Sequence, residues 1–170
     1  MSVLPIKIYG EKILREKALA IENIDSDLVQ FAEDLKNTMQ AANGLGLAAN
    51  QVGRRVRAFA IDLTHFDVLA EAQVLLNPEI VEVKGIVTGE EGCLSFPGLF
   101  QIIERAQKVT VKSLDLDGKE YFYEAEGLIA RVMLHEIDHL DGVLFIDKLS
   151  SAQRDLIKGK LGKIKAGERV

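Results

Sequence analysis

The segment from Glu126 to Leu140 reads EGLIARVMLHEIDHL, and it decides how the rest of the chain must fold. Its apolar residues surround almost the whole circumference of an α-helix: Leu128, Ile129, Val132, Met133, Leu134, Ile137 and Leu140. A helix that is apolar on nearly all sides is buried in a core, and the polar groups that it carries need partners there. We therefore expect a central helix whose few polar side chains have a defined role.

Two histidines and a glutamate lie inside this predicted helix, in the pattern HEIDH at residues 135–139. His135 and His139 are four residues apart, so both project from one face and can bind a single metal ion. Glu136 is rotated by about 100° around the helix, where it can act as a general base on water at the metal. The alternative is two buried histidines that bond to backbone groups, although burial of unpaired imidazoles is costly.

Two histidines do not fill a four-coordinate site, so a third ligand is required, and Cys93 is the strongest candidate. It lies in GEEGCLSFPG, residues 89–98, whose glycines permit close backbone approach. No His or Glu lies beyond His139 at the spacing where zinc peptidases place their third ligand. A lone cysteine can also be an inert core residue. A Cys-His-His set leaves one position open for water, which is typical of a catalytic site.

A third element is GLGLAANQ, residues 44–51. Read alone it is a tight turn after a helix, and it lacks the Lys-Ser/Thr ending of a phosphate-binding loop. Beside a metal, its glycines would let a substrate backbone lie close, and Gln51 could donate a hydrogen bond to a developing oxyanion.

The remaining pattern predicts an α+β fold, with antiparallel sheets surrounding the buried metal-binding helix and a C-terminal helix. Helices are expected over about 11–18, 25–43, 126–140 and 151–165. Strands are expected over 56–62, 73–77, 79–84, 100–104, 107–114 and 119–125, with turns at Asn77-Pro78 and Lys84-Gly85 and a hairpin at Asp117-Gly118. We expect residues 1–170 to form a single catalytic domain.

Composition narrows the class of protein. The chain has 170 residues, 48% of them hydrophobic, and one cysteine, which excludes an intramolecular disulfide. No apolar run is long enough to span a membrane and no secretion signal is visible, so we expect a cytoplasmic protein.

The net charge of −5 argues against DNA binding by the whole chain, but residues 148–170 carry seven basic and two acidic residues. This basic tail could contact a polyanion, or it could simply be a solvated helix.

Together, residues 44–51, 91–95 and 135–139 resemble the three signature motifs of the peptide deformylase family, in the family order. The resemblance extends from Ile13-Leu14-Arg15 to Gly142-Val143-Leu144-Phe145. It implies a metallohydrolase that removes the formyl group from the N-terminal formylmethionine of nascent chains and releases formate. One departure is Leu134, where the family commonly has Gln.

The resemblance also implies a role for each matching residue. Metal ligands would be Cys93, His135 and His139, and Glu136 would be general base and acid. Gln51 and the Leu94 backbone N–H would bind the formyl oxygen. The peptide would be held in an extended pose by Gly44, Gly46 and the Glu91-Gly92 backbone, and the methionine side chain by Leu45, Leu128 and Val132.

The resemblance further implies one divalent metal ion, Fe²⁺ as the native ion, with Zn²⁺, Ni²⁺ or Co²⁺ as alternative occupants. An ion pair between Arg105 and Asp138 is expected, with an exposed Asp138 as the alternative. N-formylmethionyl nascent peptides would be the substrates, and the basic tail could contact the ribosome.

Two other functions compete with this interpretation. A zinc endopeptidase is favoured by the HEIDH pattern alone, but the chain is small and lacks the downstream third ligand. A structural metal domain with an RNA-binding tail would need a closed coordination sphere, and the chain has no second cysteine to close it.

Overall fold

A computed structural model describes residues 2–64 and 70–170. Along them run α1 (Ser26–Ala41), β1 (Gly46–Ala48), β2 (Ala58–Ile61), β3 (Gln73–Lys84), β4 (Val87–Gly92), β5 (Phe100–Arg105), β6 (Lys108–Leu114), β7 (Glu120–Glu126), α2 (Gly127–Leu140) and α3 (Ser151–Lys165). Short 3-10 turns lie at Lys12–Arg15, Ala49–Val52 and Phe145–Lys148. No helix within the described residues is both long and apolar enough to cross a membrane.

The strands form two antiparallel sheets around α2. One has five strands in the order β1-β2-β3-β6-β7, and the other consists of β4 and β5. Ten of the fourteen residues of α2 are buried, as its continuous apolar pattern requires. The helix packs on the five-stranded sheet through Met133 and Ile137, which share a core cluster with Phe59 and Val111. The predicted α+β class is confirmed.

Two further clusters complete the core. In one, α1 packs against β1, β2 and β3, with Leu35 and Met39 fully buried. This helix begins as predicted, because the Asp25 side chain accepts a hydrogen bond from the Leu28 N–H at 2.9 Å and caps the first turn. In the other, Ile157 and Ile164 of α3 pack with residues that follow β4 and α2. The last helix therefore contributes to the core as well as to the surface.

The predicted turn at Asn77-Pro78 is wrong, because β3 runs through it. The strand pairing shifts register between Leu76 and Glu79, which marks a bulge. Asn77 has a φ of 48°, and its side chain exchanges two hydrogen bonds with the backbone of Ile21, each 2.8 Å long. A bulge also accommodates Pro78, which has no N–H to donate to a ladder. Turn residues in the sequence thus mark an irregularity within one strand.

Three other predictions differ from the structure. The helix expected over about 11–18 is only a 3-10 turn, Lys12–Arg15, and the chain is extended from Glu16 onward. Residues 44–51, expected to be a tight turn, contain β1 and most of a 3-10 turn. The strand β4 was not predicted, since its sequence VTGEEG has two glycines and no apolar alternation. The hairpin at Asp117-Gly118 is confirmed, with Val111 paired to Tyr123.

Candidate metal centre

Three side chains from two elements converge beneath a surface cavity. Cys93 directly follows β4, and His135 and His139 lie one helical turn apart on α2. One ligand atom from each falls within 4.8 Å of the others, and the Cys93 Sγ lies 3.2 Å from the His139 Nε2. A thiolate and two imidazoles at this separation are the donors that a divalent first-row metal prefers. The predicted ligand set is therefore brought together as one metal site.

Glu91 orients the first histidine. Its Oε2 atom lies 2.9 Å from the His135 Nδ1, which leaves the Nε2 atom available to a metal. The same carboxylate accepts two hydrogen bonds from Arg105, at 2.7 and 2.9 Å, and one from Arg131 at 2.8 Å. Arg105 also pairs with Asp138, as predicted. Glu91, which we expected to hold the peptide through its backbone, therefore also orients His135 through its side chain.

This network sets the charges beneath the metal site. Burial alone would raise the pKa of Glu91, but hydrogen bonds from Arg105 and His135 outweigh it and lower the pKa to about 2. Burial would likewise lower the pKa of His135, but hydrogen bonds with Cys93 and Glu91 raise it to about 10. Burial and the charge of His135 lower the pKa of His139. Because a metal binds the neutral imidazole, it must displace a proton from His135.

Replacing Glu91 by Gln is expected to lower the free energy of unfolding by about 3 kcal/mol, because Arg131 would keep a buried charge without its carboxylate and Arg105 would be left with Asp138. The ionised Glu91 stabilises the fold fully above about pH 4.5, and this contribution is lost as the pH falls towards 2. Urea unfolding of metal-free protein across that pH range should therefore show a smaller decrease in the free energy of unfolding for Glu91→Gln than for wild type. Glu104→Gln, at an exposed position, is the control and should follow the wild type. The same dependence of unfolding free energy on pH in Glu91→Gln and wild type would contradict the argument.

Glu136 is the next residue after the ligand His135 and lies beside the metal site. The residue is 4% exposed, and among the described residues its Oε2 atom has no hydrogen-bond partner. Burial raises its pKa to about 7, which suits a group that must both take and return a proton near neutral pH. Its side chain lies against Gly46, where a Cβ atom would stand 2.5 Å from Oε1. Gly46 is therefore required by Glu136 itself, in addition to any approach of a substrate.

Replacing Gly46 by Ala is expected to lower kcat about a hundredfold, because the new methyl group would displace the Glu136 carboxylate. Bound metal should stay at the wild-type level, since the three atoms nearest to this methyl position all belong to Glu136 and not to a ligand. Steady-state kinetics and elemental analysis measure both quantities. Gly159→Ala is the control, as nothing lies within 4 Å of its Cβ position. Unchanged kcat in Gly46→Ala would show that Glu136 has freedom to move.

Gln51 is held with its amide nitrogen towards Cys93. Its Oε1 atom accepts a hydrogen bond from the Ala48 N–H at 2.8 Å, which fixes the orientation of the amide. The Nε2 atom donates to the Ser95 Oγ at 3.1 Å and lies 3.5 Å from the Cys93 Sγ. The side chain is 1% exposed. Gln51 thus presents a fixed donor next to the metal ligands, which is the arrangement that an oxyanion requires.

A cavity of about 500 Å³ opens above these groups. Its lining includes all the predicted site residues except the buried His139: Gly44, Leu45, Gly46, Gln51, Glu91, Gly92, Cys93, Leu94, Leu128, Val132, His135 and Glu136. Two strand edges border it, because β1 pairs only with β2 and β4 only with β5 among the described strands. An extended peptide can add to such edges.

Sequence reasoning missed several residues of this region. Arg131 and Phe100 line the cavity, as does Arg169 from beyond α3. Asn50 is fully buried and donates a hydrogen bond to the His139 carbonyl. The signal for Arg131 was available, because an arginine within a buried apolar helix must be paired. Leu134, the departure from the family pattern, packs in the core cluster of α2.

Comparisons with known proteins agree with this geometry. Residues 3–155 match the family model for polypeptide deformylase. The peptide deformylase of Alkalilimnicola ehrlichii is 44% identical over 170 residues, covering 100% of this chain and 95% of the relative. That of Syntrophobacter fumaroxidans is 46% identical over 160 residues, 94% of each chain. The crystal structure of a peptide deformylase from Legionella pneumophila superposes with a TM-score of 0.90 at 41% identity, covering 97% of this chain and 96% of the other.

Proposed function

The chain belongs to the polypeptide deformylase family, and from that premise we propose how its own residues divide the removal of the N-formyl group from nascent peptides. The observation that carries the proposal is the convergence of Cys93, His135 and His139 beneath a cavity, with a Glu136 oxygen beside them that has no partner among the described residues. A divalent metal bound by the three ligands would supply a Lewis acid for the formyl group and lower the pKa of water.

Glu136 is the group that moves the proton. Its carboxylate takes a proton from the water that attacks the formyl carbon. It returns this proton to the amine nitrogen when the C–N bond breaks and formate is released. The raised pKa of about 7 supports both steps at neutral pH. Gln51, held by the Ala48 N–H, and the backbone N–H of Leu94 donate to the formyl oxygen as negative charge develops on it.

The cavity walls hold the rest of the substrate. Leu45, Leu128 and Val132 form an apolar wall for the methionine side chain. The backbones of Gly44 and Gly46 on one side, and of Glu91 and Gly92 on the other, hold the peptide in an extended pose between the edges of β1 and β4. That residues 1–170 act as one catalytic domain stays a prediction.

Product analysis separates this function from that of an endopeptidase. Metal-loaded protein is incubated with a short N-formylmethionyl peptide, and the products are identified by mass spectrometry. We expect loss of the formyl group with every peptide bond intact. Fragments from internal cleavage, with the formyl group retained, would instead establish the peptidase alternative.

For the native metal we propose Fe²⁺, with Zn²⁺, Ni²⁺ and Co²⁺ as occupants that the same ligands accept. An iron–thiolate site is open to oxidation at both the metal and Cys93. Protein loaded with Fe²⁺ should therefore lose activity faster in air than under nitrogen, whereas protein loaded with Ni²⁺ should not. Anaerobic purification followed by elemental analysis identifies the native ion. If the protein purified with its own metal kept its activity equally long in air and under nitrogen, this would argue against iron.

We also propose that the basic tail contacts the ribosome, which would place the enzyme in the cytoplasm where its substrates emerge. The lysines of α3 are exposed, while Ile157 and Ile164 are buried, so their charge can be changed without removing core residues. Reversing Lys158, Lys160 and Lys163 to Glu should weaken salt-sensitive ribosome binding and leave hydrolysis of a free peptide unchanged. Equal ribosome binding by variant and wild type would contradict the proposal.

A further inference from the structure

Arg131 is a buried cation that the proposed chemistry does not use. It lies on α2 one helical turn before His135, and it is 7% exposed. Its Nη1 atom donates to the Glu91 Oε1 at 2.8 Å and to the Ile103 carbonyl at 2.9 Å. The two other hydrogen bonds go to β4, from Nη2 to the Val87 carbonyl at 3.0 Å and from Nη1 to the Gly89 carbonyl at 3.4 Å. Three of its four acceptors are therefore backbone carbonyls of the β4–β5 hairpin.

The β4–β5 hairpin has a glycine, Gly89, where the Arg131 guanidinium packs against it. A Cβ atom at Gly89 would lie 3.0 Å from the Arg131 Nη2, 3.1 Å from Cζ and 3.2 Å from Nε. The guanidinium therefore lies close against the Gly89 backbone. Gly89 is paired with Ile103 in the β4–β5 ladder, so Arg131 contacts both strands at one position. Because Arg presents several N–H donors in a planar fork, it can hold several carbonyls that a single ammonium cannot.

We propose that Arg131 is a positioning residue for the peptide substrate. By tying two strands to the metal-binding helix, it fixes the free edge of β4 at the distance from His135 and Glu136 that a bound peptide requires. The inference rests on the proposed role of the β4 backbone in holding the peptide. In the proposed pose the residues beyond the methionine lie along β4, so loss of Arg131 should reduce the gain in kcat/KM that these residues provide.

The test compares two substrates, formyl-methionine amide and a formyl-Met-Ala-Ser peptide, in wild type and Arg131→Met. Wild type should favour the longer substrate. In Arg131→Met, kcat/KM for the longer substrate should fall about tenfold through a higher KM, with a smaller fall for the amide. Metal content should be unchanged, because Arg105 still donates two hydrogen bonds to Glu91, which orients His135. Arg131→Lys should behave like the Met variant, because it keeps the charge beside Glu91 but lacks the fork. Arg55→Met removes an exposed arginine as control.

A second variant approaches the same contact from the other side. Gly89→Ala crowds the guanidinium and should reduce the same preference, and the double variant Gly89→Ala/Arg131→Met should be no worse than Arg131→Met alone. If Arg131→Met fails to fold, Gly89→Ala alone decides the question.

Several results would overturn the inference. One is an equal loss of kcat/KM on both substrates in Arg131→Met, and another is an unchanged preference for the longer substrate in Gly89→Ala. Additive effects in the double variant would also overturn it. So would wild-type behaviour of Arg131→Lys, which would show that the charge of Arg131 alone accounts for its effect. A wild type without any preference for the longer substrate would instead overturn the proposed role of the β4 backbone, and with it this inference.

Discussion

Replacing Glu136 by Gln is expected to lower kcat about 10⁴-fold while the metal stays bound. Glu136 is not one of the three clustered ligands, so its neutral isostere leaves Cys93, His135 and His139 in place. What the variant loses is a carboxylate that can take a proton from water and return it to the leaving amine. The amide has nearly the same shape, and therefore fits the space beside Gly46.

Two quantities must be measured on the same Glu136→Gln sample, namely formate release and metal content. The expected result is a full complement of metal with almost no turnover. Glu124→Gln, an exposed position on β7, is the matched control for loss of a carboxylate and should retain wild-type activity. Turnover near the wild-type rate in metal-loaded Glu136→Gln would remove Glu136 from the reaction.

Replacing Cys93 by Ala is expected to remove the metal and, with it, all measurable activity. The two histidines would then have to hold the ion alone, and two neutral imidazoles bind a divalent metal far more weakly than a set that includes a thiolate. A ligand that binds only the folded protein raises its unfolding temperature, so added metal should raise the Tm of wild type but not of Cys93→Ala.

Ser95→Ala is the control for this substitution. Ser95 lies two residues from Cys93 and bonds to Gln51, but it is not part of the ligand cluster. This variant should keep the metal-dependent rise in Tm. Retention of one equivalent of metal by Cys93→Ala would show that the third ligand is another residue.

The centre of the molecule could be predicted from the sequence because local patterns determine it. The apolar circumference of residues 126–140 required a buried helix, and the spacing of His135 and His139 placed both imidazoles on one face. Cys93 followed from coordination chemistry, which required a third ligand, and not from any periodicity. The structure brings all three together.

The features that sequence patterns missed depend on contacts between distant segments. β4 has no apolar alternation, only Val87 and Thr88 in it are strand-forming residues, and it is a strand because β5 pairs with it. Asn77 resembles a turn residue, but its side chain bonds to Ile21 and stabilises a bulge in the middle of β3. Arg131 and Glu91 are 40 residues apart, so their pairing cannot be deduced from the spacing of either one.

The most direct test of the central claim is a titration of metal-stripped protein with Fe²⁺ under nitrogen, with formate release from an N-formylmethionyl peptide as the signal. The ligand atoms of Cys93, His135 and His139 lie close enough to bind one ion, so activity should start near zero, rise in proportion to added metal and reach its maximum at about one equivalent. Formate release by the metal-stripped protein, or none by the fully loaded protein, would contradict the assignment of deformylation to this site.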